Sequence, residues 1–161
     1  MQFYITDWHL GFMLTAKTAE GLRAVFIGPE ATKLSEALYH YFPQAQFTPK
    51  NPELITISKA LVHSVDSDHS YTGPLAMQGT PFQEKVWSVL RMIPRGETVS
   101  YTEVAQRIGA PKAYRAVASA CGANLLAIAI PCHRVVGQQN LGGYRWGIEL
   151  KRALLQKEQQ S

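Results

Sequence analysis

The sequence predicts a two-part chain, with an α/β unit, a small antiparallel sheet with helices, over residues 1–75 and a mainly helical unit over residues 76–161. Three observations carry this reading. Two β-prone apolar runs, 10–16 and 22–27, flank a polar stretch ending in Gly21, as in an antiparallel hairpin. Two segments with apolar residues at helical spacing follow them. After residue 76 the pattern changes to successive helices with explicit start and stop signals.

In the first unit, Leu34, Leu38 and Tyr41 share one face of a helix predicted over 30–41, with Pro43 just beyond its end. Leu54, Ile57, Leu61 and Val65 mark a second helix. The polar run 66–70 reads as a linker. In the second unit, Thr80 caps a helix, Pro81 fits its first position and Gln83 completes a capping box. Phe82, Val86, Val89, Leu90 and Ile93 form its inner face, and Pro94 with Gly96 ends it. A second box, Ser100 to Glu103, opens a short helix that Gly109 and Pro111 stop. A third helix is predicted over 112–123. Two short helices joined by so brief a turn make a helix-turn-helix arrangement.

Charge separates the two parts. Residues 1–75 carry five Lys and Arg against seven Asp and Glu; residues 76–161 carry eleven against five. A basic second half is the footprint of a module that binds a polyanion. The third helix is lined with small residues: Ala113, Ala116, Ala118, Ser119, Ala120, Cys121, Gly122 and Ala123. Close helix packing accounts for such a stripe. So does entry into the DNA minor groove, about 6 Å wide. Arg115 is the one long cation well inside that surface.

Several classes are set aside. No apolar run approaches the length of a membrane-spanning helix. The N-terminus lacks a basic region before an apolar core, so no signal peptide is expected and a cytoplasmic location is. The two cysteines, Cys121 and Cys132, form at most one bridge and read as free thiols. His9, His40, His63 and His69 have no ligand spacing for zinc, and no metal or organic cofactor is expected.

The chemistry concentrates in Ile130-Pro131-Cys132-His133-Arg134-Val135-Val136-Gly137. It places a thiol at the end of an apolar, strand-like run, 125–130. An ordinary thiol has a pKa of about 8.5 and is mostly protonated at neutral pH, so a nucleophilic cysteine needs a base or a cationic setting. His133 and Arg134 are adjacent, but neighbours in a strand point to opposite faces. A bridging water is one way to link Cys132 and His133. A carboxylate to orient His133 must come from elsewhere, and Glu158 on the last helix is a candidate. Cys121 reads as a packing residue.

The segment 130–137, together with 79–83, 93–101, Arg115-Ala116-Val117 and Gly143-Tyr144, resembles the O6-alkylguanine-DNA alkyltransferase family over about residues 76–158. Arg115 to Cys121 resembles the bacterial type most. The resemblance implies a ribonuclease-H-like first domain over 1–75 and a winged helix-turn-helix in the second, over 76–161. It implies a monomer acting on double-stranded DNA that bears O6-alkylguanine, and on O4-methylthymine as well. The damaged nucleotide is flipped out and its alkyl group passes irreversibly to Cys132.

By the same resemblance, His133 is the base acting through water and Glu158 orients it. Tyr101 helps protonate the leaving guanine at N3. Asn124 is the hinge between recognition helix and active-site strand, and Lys151 supports the pocket. Arg115 fills the gap left by the flipped base. Ala116, Ser119, Ala120, Gly122, Tyr101 and Arg134 face DNA, while Val135, Tyr144, Arg145 and Trp146 line the substrate pocket.

Two departures stand out. The chain is one residue shorter than the usual family loop, at 137–140, so a tighter wing hairpin is expected. Arg145 and Trp146 replace small residues, and Trp146 is expected to narrow the pocket against O6-benzyl groups. Two alternatives stay in view. A non-enzymatic lesion sensor of the same fold would lack the cysteine, and a cysteine hydrolase would need direct Cys–His contact. Residues 1–75 hold no cysteine, so the phosphotriester repair and transcriptional activation of relatives with a cysteine-rich zinc domain are not expected.

Overall fold

A computed structural model describes residues 1–160. They form an α/β structure with a four-stranded mixed sheet and six α-helices. Two compact units divide it: Met1–Met77 with Leu125–Ala127, and Gln78–Asn124 with Ile128–Ser161.

In the first unit, β1 (Gln2–Trp8), β2 (Gly11–Thr18) and β3 (Gly21–Gly28) form an antiparallel meander, with the β2–β3 register shifting between Ala16 and Lys17. The β1–β2 turn needs glycine at position 11. Its φ is 115°, and a Cβ there would lie 2.6 Å from the Gly28 carbonyl oxygen. Met13, Leu14 and Ala16 on β2 and Leu22, Ala24, Val25, Phe26 and Ile27 on β3 are buried. Helices α1 (Ala31–Tyr41) and α2 (Pro52–Asp66) contribute Leu34, Leu38, Leu54, Leu61 and Val65 to this core. Asn51 caps α2 by accepting from the Leu54 amide at 3.1 Å.

The sheet differs from the antiparallel one expected. After α1 the chain returns as β4 (Gln46–Phe47), which pairs parallel with β1 at the sheet edge. A helical crossover delivers a strand in the same direction as its neighbour, so the sheet becomes mixed. The run Leu125–Ala127 also belongs to this unit. The Val25 amide donates to Leu125 O (2.8 Å), and the Ala127 amide donates to Val25 O (3.2 Å).

The second unit opens with α3 (Pro81–Leu90), whose capping box is complete: Gln83 N donates to Thr80 Oγ1 at 3.1 Å and Thr80 N to Gln83 Oε1 at 2.9 Å. Next come β5 (Val99–Ser100), α4 (Tyr101–Arg107, capped by Ser100) and α5 (Tyr114–Gly122). The Trp87 indole N–H donates to the Ala120 carbonyl at 2.9 Å and ties α3 to α5. A 3-10 turn (Cys132–Arg134) leads into β6 (Val135–Val136), parallel to β5, and α6 (Ile148–Glu158) closes the unit.

Two expectations are corrected here. The run 125–130 is not a strand: it makes a single bridge to Val25 and then turns, with Ile128 at φ 71°. A β-branched residue in the left-handed region is strained and persists only where its surroundings hold it. Ile128 is 7% exposed, so packing supplies that hold. No wing hairpin forms over 137–140; β6 ends at Val136 and Asn140 Oδ1 accepts from the Gly142 amide at 2.8 Å. Among the described residues, no helix is long and apolar enough to cross a membrane.

Candidate functional site

The turn at Pro131 sets the geometry. After Pro131, which follows the turn at Ile128, Cys132, His133 and Arg134 take 3-10 conformation. Consecutive side chains then point about 120° apart instead of to opposite faces. Cys132 (5% exposed) and His133 (0%) are both buried, and Arg134 points to the edge of the core.

Asn124, two residues after α5, reaches back to this turn. Its Nδ2 donates to the Ile130 carbonyl (3.0 Å) and to Cys132 Sγ (3.3 Å). Burial pushes the Cys132 thiol up, and the Asn124 hydrogen bond with the charges of Lys151 and Arg145 pulls it back without cancelling that rise. The resting group is therefore a neutral thiol.

His133 Nε2 lies 2.9 Å from Glu158 Oε2. Arg134 joins them: Nε approaches both carboxylate oxygens (3.1 and 3.2 Å), Nη2 donates to Oε2 (2.7 Å) and Nη1 to the Ile93 carbonyl (2.7 Å). Burial alone would raise the Glu158 carboxyl. The hydrogen bonds and charges of His133 and Arg134 outweigh it and hold the pKa at about 2. An ionised carboxylate only accepts, so His133 Nε2 carries the proton. Burial lowers the His133 pKa despite Glu158, so the ring is neutral and Nδ1 is a free acceptor, with no protein partner.

Lys151 on α6 is fully buried and donates to Val135 O (2.7 Å) and Gly143 O (2.9 Å). It thereby holds the segment 137–147 against the turn. Its Nζ lies 5.9 Å from the centre of the Tyr101 ring. Burial lowers its pKa, while the Cys132 and Cys121 thiols act the other way.

A cavity of about 280 Å³ opens beside the thiol, lined by Tyr101, Ala118, Cys121, Gly122, Cys132, Gly143, Tyr144 and Arg145. Burial raises the pKa of Tyr101 to about 12, and it raises that of Tyr144 well above its ordinary value, so both hydroxyls keep their protons. Gly142 is required beneath Tyr101. Its φ is 72°, and a Cβ there would lie 2.6 Å from the Tyr101 hydroxyl oxygen. A larger cavity, about 670 Å³, lies in the first unit among Lys17, Glu53, Ile57, His63 and Tyr71. It holds neither cysteine, so size does not mark the reactive site.

The structure thus gathers Cys132, His133, Glu158, Asn124, Lys151, Tyr101, Tyr144 and Arg145. Other expected residues sit elsewhere. Arg134, expected to face DNA, instead spends its guanidinium on Glu158 and Ile93. Ala120 is 2% exposed and turned inward under Trp87. Arg115, Ala116, Ser119 and Gly122 do form an exposed face of α5, joined by Ala118. Val135 is fully buried and contributes only its carbonyl, to Lys151. Trp146 does not border the cavity; its ring lies 5.8 Å from the Arg145 guanidinium. Cys121, read as packing, lines the cavity beside Cys132 and its thiol is raised to about 12 by burial. The i, i+3, i+4 spacing of Ala118, Cys121 and Gly122 was the available signal for that wall.

The chain is similar to known proteins along its length. Residues 81–160 match the family model described as 6-O-methylguanine DNA methyltransferase, DNA binding domain. The chain is 44% identical over 160 residues to the bifunctional transcriptional activator/DNA repair enzyme Ada of Escherichia coli, covering 98% of this chain and 45% of that protein. It therefore spans about half the length of that relative. It is 36% identical to the inducible methylated-DNA–protein-cysteine methyltransferase of Bacillus subtilis, covering 96% of this chain and 87% of that protein. Among solved structures, Mycobacterium tuberculosis OGT in complex with DNA superposes with a TM-score of 0.82 at 32% identity, covering 99% of this chain and 93% of that one.

Proposed function

The chain belongs to the 6-O-methylguanine DNA methyltransferase family, and on that premise we propose that it takes the alkyl group of O6-alkylguanine in double-stranded DNA onto its own Cys132, once per molecule. The observation that carries this reading is the joining of two contacts on one turn, Asn124 to Cys132 and His133 to Glu158, beside a cavity of about 280 Å³.

The thiol begins neutral, so its proton must leave as sulfur attacks. His133 is the acceptor: it is neutral, Nδ1 is open, and the Glu158 carboxylate stabilises the imidazolium that forms. The proton passes from Cys132 to Nδ1 by way of a water. The S–C bond forms while the C–O6 bond breaks, and its electron pair goes to guanine. The Tyr101 hydroxyl donates to guanine N3, neutralising charge as it develops. Lys151 keeps Tyr101 and the segment 137–147 in place. The thioether product has no route back, which makes the protein single-use.

In this reading α4 and α5 act as a helix-turn-helix, with the segment 137–147 in the position of a wing. Residues 76–161 form the DNA-binding and acceptor domain, and residues 1–75 a ribonuclease-H-like domain. The exposed small residues of α5 fit the minor groove, and Arg115 occupies the stack vacated by the flipped nucleotide, offsetting a few kcal/mol of lost stacking. The protein works as a monomer on O6-methylguanine and on O4-methylthymine. A single-turnover titration tests the proposal. Methyl groups lost from O6-methylguanine duplexes should equal the moles of protein added and then stop. Continued loss beyond that amount, or none, would contradict it.

A further inference from the structure

Two buried polar atoms of the site have no protein partner among the described residues: His133 Nδ1 and the Tyr144 hydroxyl oxygen. Buried polar groups are nearly always hydrogen-bonded, so two orphans in one place call for a shared partner. Their side chains meet edge to face, with ring centroids 6.4 Å apart and planes at 71°. Tyr144 also lines the cavity beside Cys132. Its backbone is fixed from one residue away, where the Lys151 ammonium donates to the Gly143 carbonyl. Burial, with Cys132 and Glu158 close by, raises the Tyr144 pKa well above its ordinary value, so the hydroxyl keeps its proton and is no base itself. A water held in a protein interior makes about three hydrogen bonds to such groups. Cys132 Sγ and His133 Nδ1 supply two.

We propose that the Tyr144 hydroxyl is the third partner of the water that links Cys132 to His133, which makes Tyr144 a positioning residue for removal of the thiol proton. The inference rests on the alkyl-transfer reading above and deepens it. The Cys132 S–H donates to the water oxygen. The water donates one hydrogen to His133 Nδ1 and the other to Tyr144 Oη. As sulfur bonds to the alkyl carbon and the C–O6 bond breaks, the thiol proton moves to the water and the water's own proton moves to Nδ1. His133 becomes an imidazolium beside the Glu158 carboxylate, guanine keeps the electron pair, and Tyr144 neither gains nor loses a proton. Without the hydroxyl the water keeps two partners, is held less firmly, and connects the thiol to its base for less of the time.

The test is Tyr144→Phe, which removes one oxygen atom, in single-turnover transfer from a saturating O6-methylguanine duplex between pH 7 and 9. Because the hydroxyl has no protein partner, resistance to urea and affinity for the duplex are expected to match the wild type. At pH 7 the wild-type rate should exceed that of the variant about tenfold, part of the ~10²–10⁴ that a positioned base contributes. That ratio should shrink as pH rises, since free thiolate needs no relay and grows more abundant in alkali. Glu158, with a pKa of about 2, and Tyr101 and Cys121, at about 12, hold their states through that range. Titration of Lys151 is common to both proteins and leaves the ratio untouched. A ratio below about twofold at pH 7, a ratio indifferent to pH, or a Tyr144→Phe protein that loses stability overturns the proposal. Wild-type protein that takes no methyl from O6-methylguanine would instead sink the underlying reading, and that control separates the two failures.

Discussion

Replacing Glu158 by glutamine keeps the size of the side chain and removes one charge from the centre of the site. The wild-type carboxylate accepts from His133 Nε2 and from Arg134 Nε and Nη2, and it is 2% exposed. Glutamine offers one carbonyl oxygen, and its amide group brings a second donor among donors. Removing one member of a buried pair typically costs ~3–5 kcal/mol because the other charge is stranded. Arg134 keeps its bond to the Ile93 carbonyl and its side chain is 11% exposed, which places the loss at the low end, ~3 kcal/mol.

The pH dependence follows from the direction of each shift. The Glu158 pKa falls from 4.5 to about 2 on folding, so its contribution is complete above pH 4.5 and is lost as pH falls toward 2. The His133 pKa is lowered from 6.5, so a neutral His133 also stabilises above pH 6.5 and weakens the fold below it. Urea unfolding followed by tryptophan fluorescence should show Glu158→Gln ~3 kcal/mol less stable at pH 7. The gap should narrow between pH 4.5 and 3. A gap under about 1 kcal/mol at pH 7, or one still widening below pH 4.5, would refute the assignment of Glu158 as the buried, ionised anchor.

Three further outcomes are expected. Asn124→Ala removes the donor to Cys132 Sγ and leaves the Ile130 carbonyl unpaired. It should cost ~1–3 kcal/mol and slow iodoacetamide alkylation of Cys132, with the pH profile moved upward. Lys151→Met orphans the Val135 and Gly143 carbonyls, so thermal unfolding should show a loss of ~2–4 kcal/mol. Arg115→Ala truncates an exposed side chain on α5 and should change stability by less than ~0.5 kcal/mol. Transfer from a duplex should nevertheless fall about tenfold while reaction with free O6-methylguanine changes little, the split expected if Arg115 serves base flipping.

The signals that survived from sequence to structure are local ones. Thr80, Pro81 and Gln83 specify a helix start within four residues, and that box forms as read. The pairing of His133 with Glu158 joins residues on the turn and on α6; the need for a carboxylate made Glu158 a candidate, and the family resemblance singled it out. What failed depended on tertiary context. The run 125–130 is apolar enough for a strand, yet it spends one bridge on Val25 and then turns at Ile128. Strand β4 is two residues long and exists only because β1 offers it an edge. Arg134 looks like any cation near a DNA face until Glu158 is placed beside it. Cys121 has the composition of a packing residue, and only the position of the Cys132 turn makes it a cavity wall.

The central claim is that Cys132, and not its neighbour Cys121, is the acceptor. Peptide mass mapping after incubation with a duplex containing O6-methylguanine tests it most directly. The account predicts a single methyl mass on the peptide bearing Cys132, none on that bearing Cys121, and no modification in Cys132→Ser. Methyl on Cys121, or an unmodified Cys132 after the lesion has disappeared, would contradict it.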